Sequence, residues 1–155
     1  MQYYRIAAPP MQYQFAMINR LGSVVLSSRH LSRRRLSMST AIPNLYNNKT
    51  FRPASNSPNG AVDDTTRFSY HQDGCIVWAE YSGGSIKKGF LIATVKEDGS
   101  LDMRYHHVNT NGELMTGKCK SIPEMLSDGR LRLKETWQWT SGNGSCGESV
   151  LEEVR

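Results

Sequence analysis

The sequence predicts an all-β protein whose eight antiparallel strands close into an up-and-down barrel. Short segments of alternating apolar and polar residues follow one another from Thr65 onward, and no long helical pattern interrupts them. Glycine-containing turns separate these segments at near-regular intervals: Asp73-Gly74, Gly83-Gly84, Asp98-Gly99, Asn111-Gly112, Asp128-Gly129 and Gly142-Asn143-Gly144. Such dipeptides supply the positive φ angles of hairpin turns, and a long meander removes its exposed edges by closing.

Residues 1–37 predict a disordered basic extension or an organelle transit peptide. The stretch is rich in Arg and Ser, includes Arg33-Arg34-Arg35 and has no acidic residue, a composition typical of transit peptides. Alternatively, Met38 is the true start and the upstream residues extend the gene model. We expect a mitochondrial or plastid location in the first case and a cytoplasmic location in the second.

Residues 38–63 form an Asn-, Ser- and Pro-rich lead-in, and residues 64–155 form the body of the barrel. A first strand is expected at residues 49–53, where Pro53 either ends it or places it at an edge. The predicted strands are, in order, 49–53, 64–72, 75–82, 85–96, 100–109, 112–121, 130–140 and 146–154.

The charge distribution argues against a nucleic-acid partner. Residues 1–62 contain eight basic residues and no acidic one, whereas residues 63–155 contain eleven basic and fourteen acidic residues. The barrel body is therefore mildly acidic, unlike a nucleic-acid-binding domain. No apolar run approaches the length that crosses a bilayer, so we expect no membrane partner.

The cysteines and histidines predict neither a metal nor a cofactor site. Cys75, Cys119 and Cys146 are widely spaced and form no Cys-x-x-Cys pair, so we interpret them as reduced thiols. His106 and His107 are adjacent on a strand and point to opposite faces, so both cannot ligate one ion without a bulge. No phosphate-binding or dinucleotide-binding glycine motif occurs in a fitting context.

Alternation with a period of two assigns the inward faces of three strands. The inward residues are expected to be Phe68 and Tyr70; Leu101, Met103, Tyr105 and His107; and Leu131, Leu133, Glu135, Trp137 and Trp139. On strand 75–82 the alternation leaves the choice of face open, because both faces carry large apolar residues. Strand 85–96 is also apolar on both faces, which predicts an outer covering such as a second copy of the chain in a homo-oligomer.

Glu135 is the main candidate for a functional residue. A carboxylate between Leu133 and Trp137 on an inward face is costly unless it is paired, and burial should raise its pKa. A structural carboxylate that ties strands together explains the position equally well. The candidate ligand-binding residues are Glu135, Tyr105, His107, Tyr81, Tyr70 and Trp137, although core packing also accounts for each aromatic residue taken singly.

Four segments carry a resemblance to a known family. They are Phe68–Gly89, with its Tyr-Ser-Gly-Gly piece, Leu101–Asn109, Gly112–Cys119 and Lys134–Trp139, with its Glu-x-Trp-x-Trp piece. Over about residues 45–154 the chain resembles a family of small proteins labelled n-acetylglutamate synthase, and its architecture is similar to calycin-like barrels of the avidin-like and lipocalin-like kinds. The label implies acyl transfer in arginine biosynthesis, with Glu135 as acid or base.

The sequence therefore leaves three functions open. The first is binding of a small molecule inside the barrel, which an eight-stranded barrel can accommodate. The second is an enzyme, as the family label implies. The third is a structural protein that oligomerises through strand 85–96.

Overall fold

The computed structural model describes residues 42–155, which form a closed barrel of eight antiparallel strands in chain order. The strands are β1 (Lys49–Asn56), β2 (Arg67–Asp73), β3 (Ile76–Gly83), β4 (Ile86–Val95), β5 (Leu101–Asn109), β6 (Leu114–Met125), β7 (Leu131–Trp139) and β8 (Cys146–Val154). β1 closes the barrel because it pairs with both β2 and β8. The predicted fold class is thus confirmed, while the predictions for residues 1–37 lie outside the described residues.

The turns form where the Asp-Gly pattern predicts them, and the same local chemistry repeats. Gly99 and Gly129 adopt φ angles of 82° and 81°, in the left-handed region that glycine enters at little cost. In both turns the preceding aspartate accepts a hydrogen bond from the backbone N–H two residues on, at 2.9 Å from Ser100 and 3.0 Å from Arg130. Each tight turn fixes the register of the hairpin that it joins.

The inward faces predicted for β2, β5 and β7 are those observed. On β3 the structure resolves the ambiguity, since Val77, Ala79 and Tyr81 are buried while Ile76 and Trp78 are exposed. On β4 the buried residues are Ile86, Gly89, Leu91, Ala93 and Val95. The apolar residues on the opposite face of β4 therefore lie on the outer surface of the barrel.

Three strand limits differ from the prediction by three or more residues. β1 continues through Pro53 to Asn56, because its pairing with β2 ends at Phe51 and leaves no partner there for an N–H. A bulge opposite β8 follows directly, between Pro53 and Ser55. β2 begins only at Arg67, since residues 63–66 form a turn held by the Asp63 side chain. β6 runs on to Met125, where it still pairs with Leu131.

The segment before β1 closes one end of the barrel, which we call the lower end. Tyr46 is fully buried there, and its hydroxyl donates to the Gly99 carbonyl at 2.6 Å. The Gln72 side chain accepts from the Tyr46 N–H at 3.0 Å and donates to the Pro43 and Gly74 carbonyls at 2.9 Å. These bonds satisfy the buried backbone of the segment. Access to the interior is therefore from the opposite, upper end.

The outer surface of β3 and β4 carries exposed apolar side chains: Ile76, Trp78, Phe90 and Ile92, each between 41 and 59 % exposed. Trp78 and Ile92 are direct neighbours in the sheet register. Oligomerisation through this face stays a prediction. Among residues 42–155 no helix is long and apolar enough to cross a membrane.

Candidate functional site

The upper half of the barrel encloses a narrow cavity. Its volume is about 60 Å³, the space that roughly two water molecules occupy in the liquid. Aromatic rings make up much of the wall, together with a few polar groups. The lining residues on the strands include Phe68, Tyr70, Tyr81, Leu91, Met103, Tyr105, His107, Cys119, Glu135, Trp137, Trp139 and Ser149.

Three inward-facing glycines allow aromatic rings to lie flat against the wall. A Cβ atom added at Gly117 would lie 2.1 Å from Cζ of Tyr105, its register partner on β5. The same arrangement joins Gly89 to Tyr81 and Gly147 to Trp137, with added Cβ atoms 2.3 and 2.4 Å from the rings. A glycine inside a strand permits such close approach. These ring positions leave space along the barrel axis.

Glu135 places a carboxyl group in the cavity. It lies on β7 between Ser121 of β6 and Ser149 of β8 in the sheet register, and the Ser149 hydroxyl donates to its Oε2 at 2.8 Å. Burial raises the Glu135 pKa from 4.5 to about 7, and hydrogen bonding by Ser149, with a smaller contribution from Ser121, opposes this rise. Within residues 42–155, no Lys or Arg side chain lines the cavity.

The other titratable groups near Glu135 are neutral at ordinary pH. Burial, with the Glu135 charge among the smaller causes, raises the pKa of each tyrosine around it and of the Cys119 thiol. The tyrosines are Tyr46 before β1, Tyr70 on β2, Tyr81 on β3 and Tyr105 on β5. Burial lowers the pKa of His107, with a smaller contribution from His106. Glu135 is consequently the group whose charge changes near neutral pH.

Tyr81 and His107 form a polar pair below the upper rim. The Tyr81 hydroxyl lies 3.1 Å from His107 Nδ1 and 3.2 Å from the His106 carbonyl. If the hydroxyl donates to that carbonyl, Nδ1–H donates to the hydroxyl and Nε2 is an acceptor. In either tautomer the buried Nε2 has no hydrogen-bond partner among residues 42–155. The pair therefore presents one free polar atom.

Two further buried polar atoms of the cavity lining have no partner among the described residues. They are Asn56 Oδ1 and the Tyr70 hydroxyl. The Asn56 amide nitrogen donates to the Val62 carbonyl at 2.9 Å, which fixes the orientation of the amide group. Buried polar groups are normally paired, so three free atoms around one cavity distinguish it from an ordinary core.

A wider cleft of about 450 Å³ adjoins the cavity at the upper end and shares Gly60, Ala61, His107 and Trp139 with it. Its remaining side chains are mostly uncharged and polar: Asn59, Ser85, Asn109, Ser141, Asn143 and Ser145. The Trp139 indole N–H donates to the Asn59 carbonyl at 3.3 Å and so ties the β1–β2 loop to the rim. This cleft is the entrance to the cavity.

All six candidate residues from the sequence line this cavity: Glu135, Tyr105, His107, Tyr81, Tyr70 and Trp137. Their role in binding stays a prediction. Sequence reasoning placed Trp139 on an inward face but not among the ligand-binding candidates, although it lines the cavity and its ring meets Tyr105 edge-on with centroids 5.5 Å apart. It also missed Asn56 and Ser149. Ser149 follows Gly147 on the same face of β8, so alternation along that strand could have predicted that Ser149 points inward.

Comparison with protein families connects this barrel to known proteins. A family model described as avidin-like protein matches residues 44–154, which include every strand and the whole cavity lining. The chain belongs to the avidin-like protein family. Comparison with curated proteins and with solved structures gave no match. The avidin-like barrel agrees with the architecture that the resemblance implied, whereas the n-acetylglutamate synthase label is not confirmed by this match.

Side chains that could ligate a metal are not clustered in the described part of this avidin-like barrel. No three His, Cys, Asp or Glu side chains among residues 42–155 lie together as metal ligands would. The three cysteines are free, and Cys119 in the cavity wall is buried with a raised thiol pKa. Such a thiol is a poor nucleophile, because the reactive form is the thiolate. Glu135 and the hydrogen-bonding groups of the lining are the polar groups that the cavity offers to a ligand.

Proposed function

We propose that this avidin-like barrel binds a small ligand in its interior cavity. The observation that carries the proposal is the convergence of free buried polar atoms, from Asn56, Tyr70 and His107, on the cavity that holds Glu135. A buried polar group without a partner costs about 1–3 kcal/mol. A ligand that pairs with these atoms would recover that free energy on binding.

The dimensions of the site support the same proposal. Eight-stranded barrels have just enough interior for their own side chains or for one small ligand. Here the glycines at positions 89, 117 and 147 let rings lie against the wall, which keeps the axis open. The ligand group inside the cavity must be small, and the remainder of the ligand would lie in the polar entrance cleft.

The chain offers a built-in control for testing this proposal, because Trp137 and Trp139 line the cavity while Trp78 lies outside. The full chain would be labelled with 5-fluorotryptophan and titrated with small amides, alcohols, carboxylates and amines. We expect at least one compound to shift the fluorine resonances of Trp137 and Trp139 and leave that of Trp78 in place. Tryptophan-to-phenylalanine variants assign the signals.

Two outcomes would contradict interior binding. In the first, no compound in the panel moves the Trp137 and Trp139 resonances. In the second, every effective compound moves Trp78 as strongly as the other two, which is the result expected of surface binding.

An enzyme is the second candidate, and the raised pKa of Glu135 favours it. A carboxyl group with a pKa of about 7 suits general acid or base catalysis near neutral pH. For the N-acetyl transfer implied by the resemblance, the full chain would be assayed for release of the coenzyme A thiol from acetyl-coenzyme A and glutamate. Turnover that Glu135→Gln abolishes in a folded variant supports this role. If the wild-type protein shows no turnover, the proposed transferase activity is contradicted. If the substitution leaves turnover unchanged, Glu135 is not the catalytic acid or base.

A further inference from the structure

Every free polar atom of the cavity lining is able to accept a hydrogen bond. Several of the donors around it are used within the protein, namely the Asn56 amide N–H₂, the Trp139 indole N–H and the Ser149 hydroxyl. The atoms that remain are Asn56 Oδ1, which only accepts, and the Tyr70 hydroxyl and His107 Nε2, which are able to accept. A matching ligand group therefore carries several donors.

The carboxyl group of Glu135 adds charge to this set of acceptors. Cationic side chains are absent from the described cavity lining, and the hydroxyl that donates to Glu135 Oε2, from Ser149, is neutral. The aromatic rings of Tyr70, Tyr105 and Trp137 line the same cavity. Aromatic faces attract cations, and an enclosed carboxylate is stable when a charged donor pairs with it. Both features match a positively charged group.

We propose that the ligand group held inside the cavity is a small planar cation, an amidinium or guanidinium, paired with the Glu135 carboxylate. The inference rests on the proposed function, since it names the ligand class of the same site. A planar amidinium presents two parallel N–H groups to a carboxylate. Its size suits a cavity of about 60 Å³, and an uncharged polar remainder suits the Asn- and Ser-rich entrance cleft.

Binding of such a cation requires Glu135 to lose its proton. The groups that face Glu135, on β2, β3, β5 and β6 and on the segment before β1, are tyrosines and Cys119 with raised pKa values, and His107 has a lowered one. The tyrosines and Cys119 carry no charge between about pH 6 and pH 8 in the folded protein, and the lowered pKa of His107 favours its neutral form over this range. The affinity for a cation should therefore rise with pH through about 7, while that for a neutral ligand should not.

Acetamidinium and acetamide provide the test, because they have nearly the same shape and differ in charge. Both would be titrated into the full chain labelled with 5-fluorotryptophan. At about pH 8 we expect acetamidinium to bind about tenfold more tightly than acetamide, as a charge-assisted hydrogen bond allows. Glu135→Gln should remove this preference, and Glu148→Gln, on the exposed outer face of β8, should keep it.

The wild-type protein gives a second readout that does not depend on how the variant folds. Its affinity for acetamidinium should fall about tenfold from about pH 8 to pH 6, whereas its affinity for acetamide should stay constant. Equal or tighter binding of acetamide at pH 8 overturns the cationic ligand and leaves interior binding intact. If neither compound moves Trp137 and Trp139, the cationic ligand is again overturned. Interior binding fails as well only when the whole panel of amides, alcohols, carboxylates and amines also leaves these two resonances in place.

Discussion

Replacing Glu135 by Gln should remove a pH dependence of about 3 kcal/mol from the free energy of unfolding. In the folded protein the pKa of Glu135 is about 7, while in the unfolded chain it is close to the ordinary value near 4.5. Between these values the folded state keeps a proton that the unfolded state has lost. The wild-type free energy of unfolding therefore falls as pH rises from about 4.5 to 7, and the pKa difference corresponds to about 3 kcal/mol.

The measurement is urea unfolding of wild type and Glu135→Gln, followed by tryptophan fluorescence, at pH values from about 5 to 8. His107 acts in the opposite direction, because its lowered pKa makes stability fall as pH drops through the ordinary histidine range. The contribution of His107 is common to both proteins, so their difference isolates Glu135. Glu148→Gln should follow the wild-type curve. Parallel curves for wild type and Glu135→Gln would show that the carboxyl group is solvated.

Replacing Gly117 by Ala should destabilise the barrel by about 2 kcal/mol and close the cavity. The new Cβ would lie 2.1 Å from Cζ and 2.2 Å from the hydroxyl oxygen of Tyr105, far inside van der Waals contact. Because the Tyr105 ring lines the cavity, we expect the displaced ring to move into it. Overpacking of this kind typically costs about 1–3 kcal/mol.

A double-mutant cycle distinguishes this steric effect from a general intolerance of β6 to substitution. In the Tyr105→Ala background, Gly117→Ala should be neutral or stabilising by up to about 1 kcal/mol, since alanine restricts the unfolded chain more than glycine does. Ligand binding would be measured through the Trp139 fluorine resonance. We expect the single variant Gly117→Ala to lose binding. Equal destabilisation in both backgrounds would mean that Tyr105 does not lie across Gly117.

The fold was predictable because its determinants are local. Asp98-Gly99 and Asp128-Gly129 specify tight turns through their own side chains and φ angles, and alternation then assigns each strand face. β3 was the exception, since Trp78 and Ile76 remain exposed outside while Val77 lies inside, and hydrophobicity cannot separate the two faces. There the faces became clear only from the pairing with β2 and β4.

The cavity was only partly predictable, because it depends on relations between strands. Alternation places Glu135 and Tyr105 inside, but whether the interior is filled depends on which residue stands opposite each ring. That Gly117 lies opposite Tyr105 follows from the β5–β6 register, which the sequence of either strand alone does not contain. Asn56 was missed because it follows the β1 bulge, where alternation no longer assigns a face.

The most direct test of an enclosed carboxyl group that is available to a ligand is the titration of Glu135 itself. The carboxyl carbon of Glu135 would be followed by ¹³C NMR in the full chain, with Glu135→Gln to assign the signal. We predict a midpoint of about 7 in the free protein and a lower midpoint when acetamidinium is present. A midpoint near the ordinary glutamate value in the free protein, unmoved by the cation, would contradict both the enclosed site and its ligand.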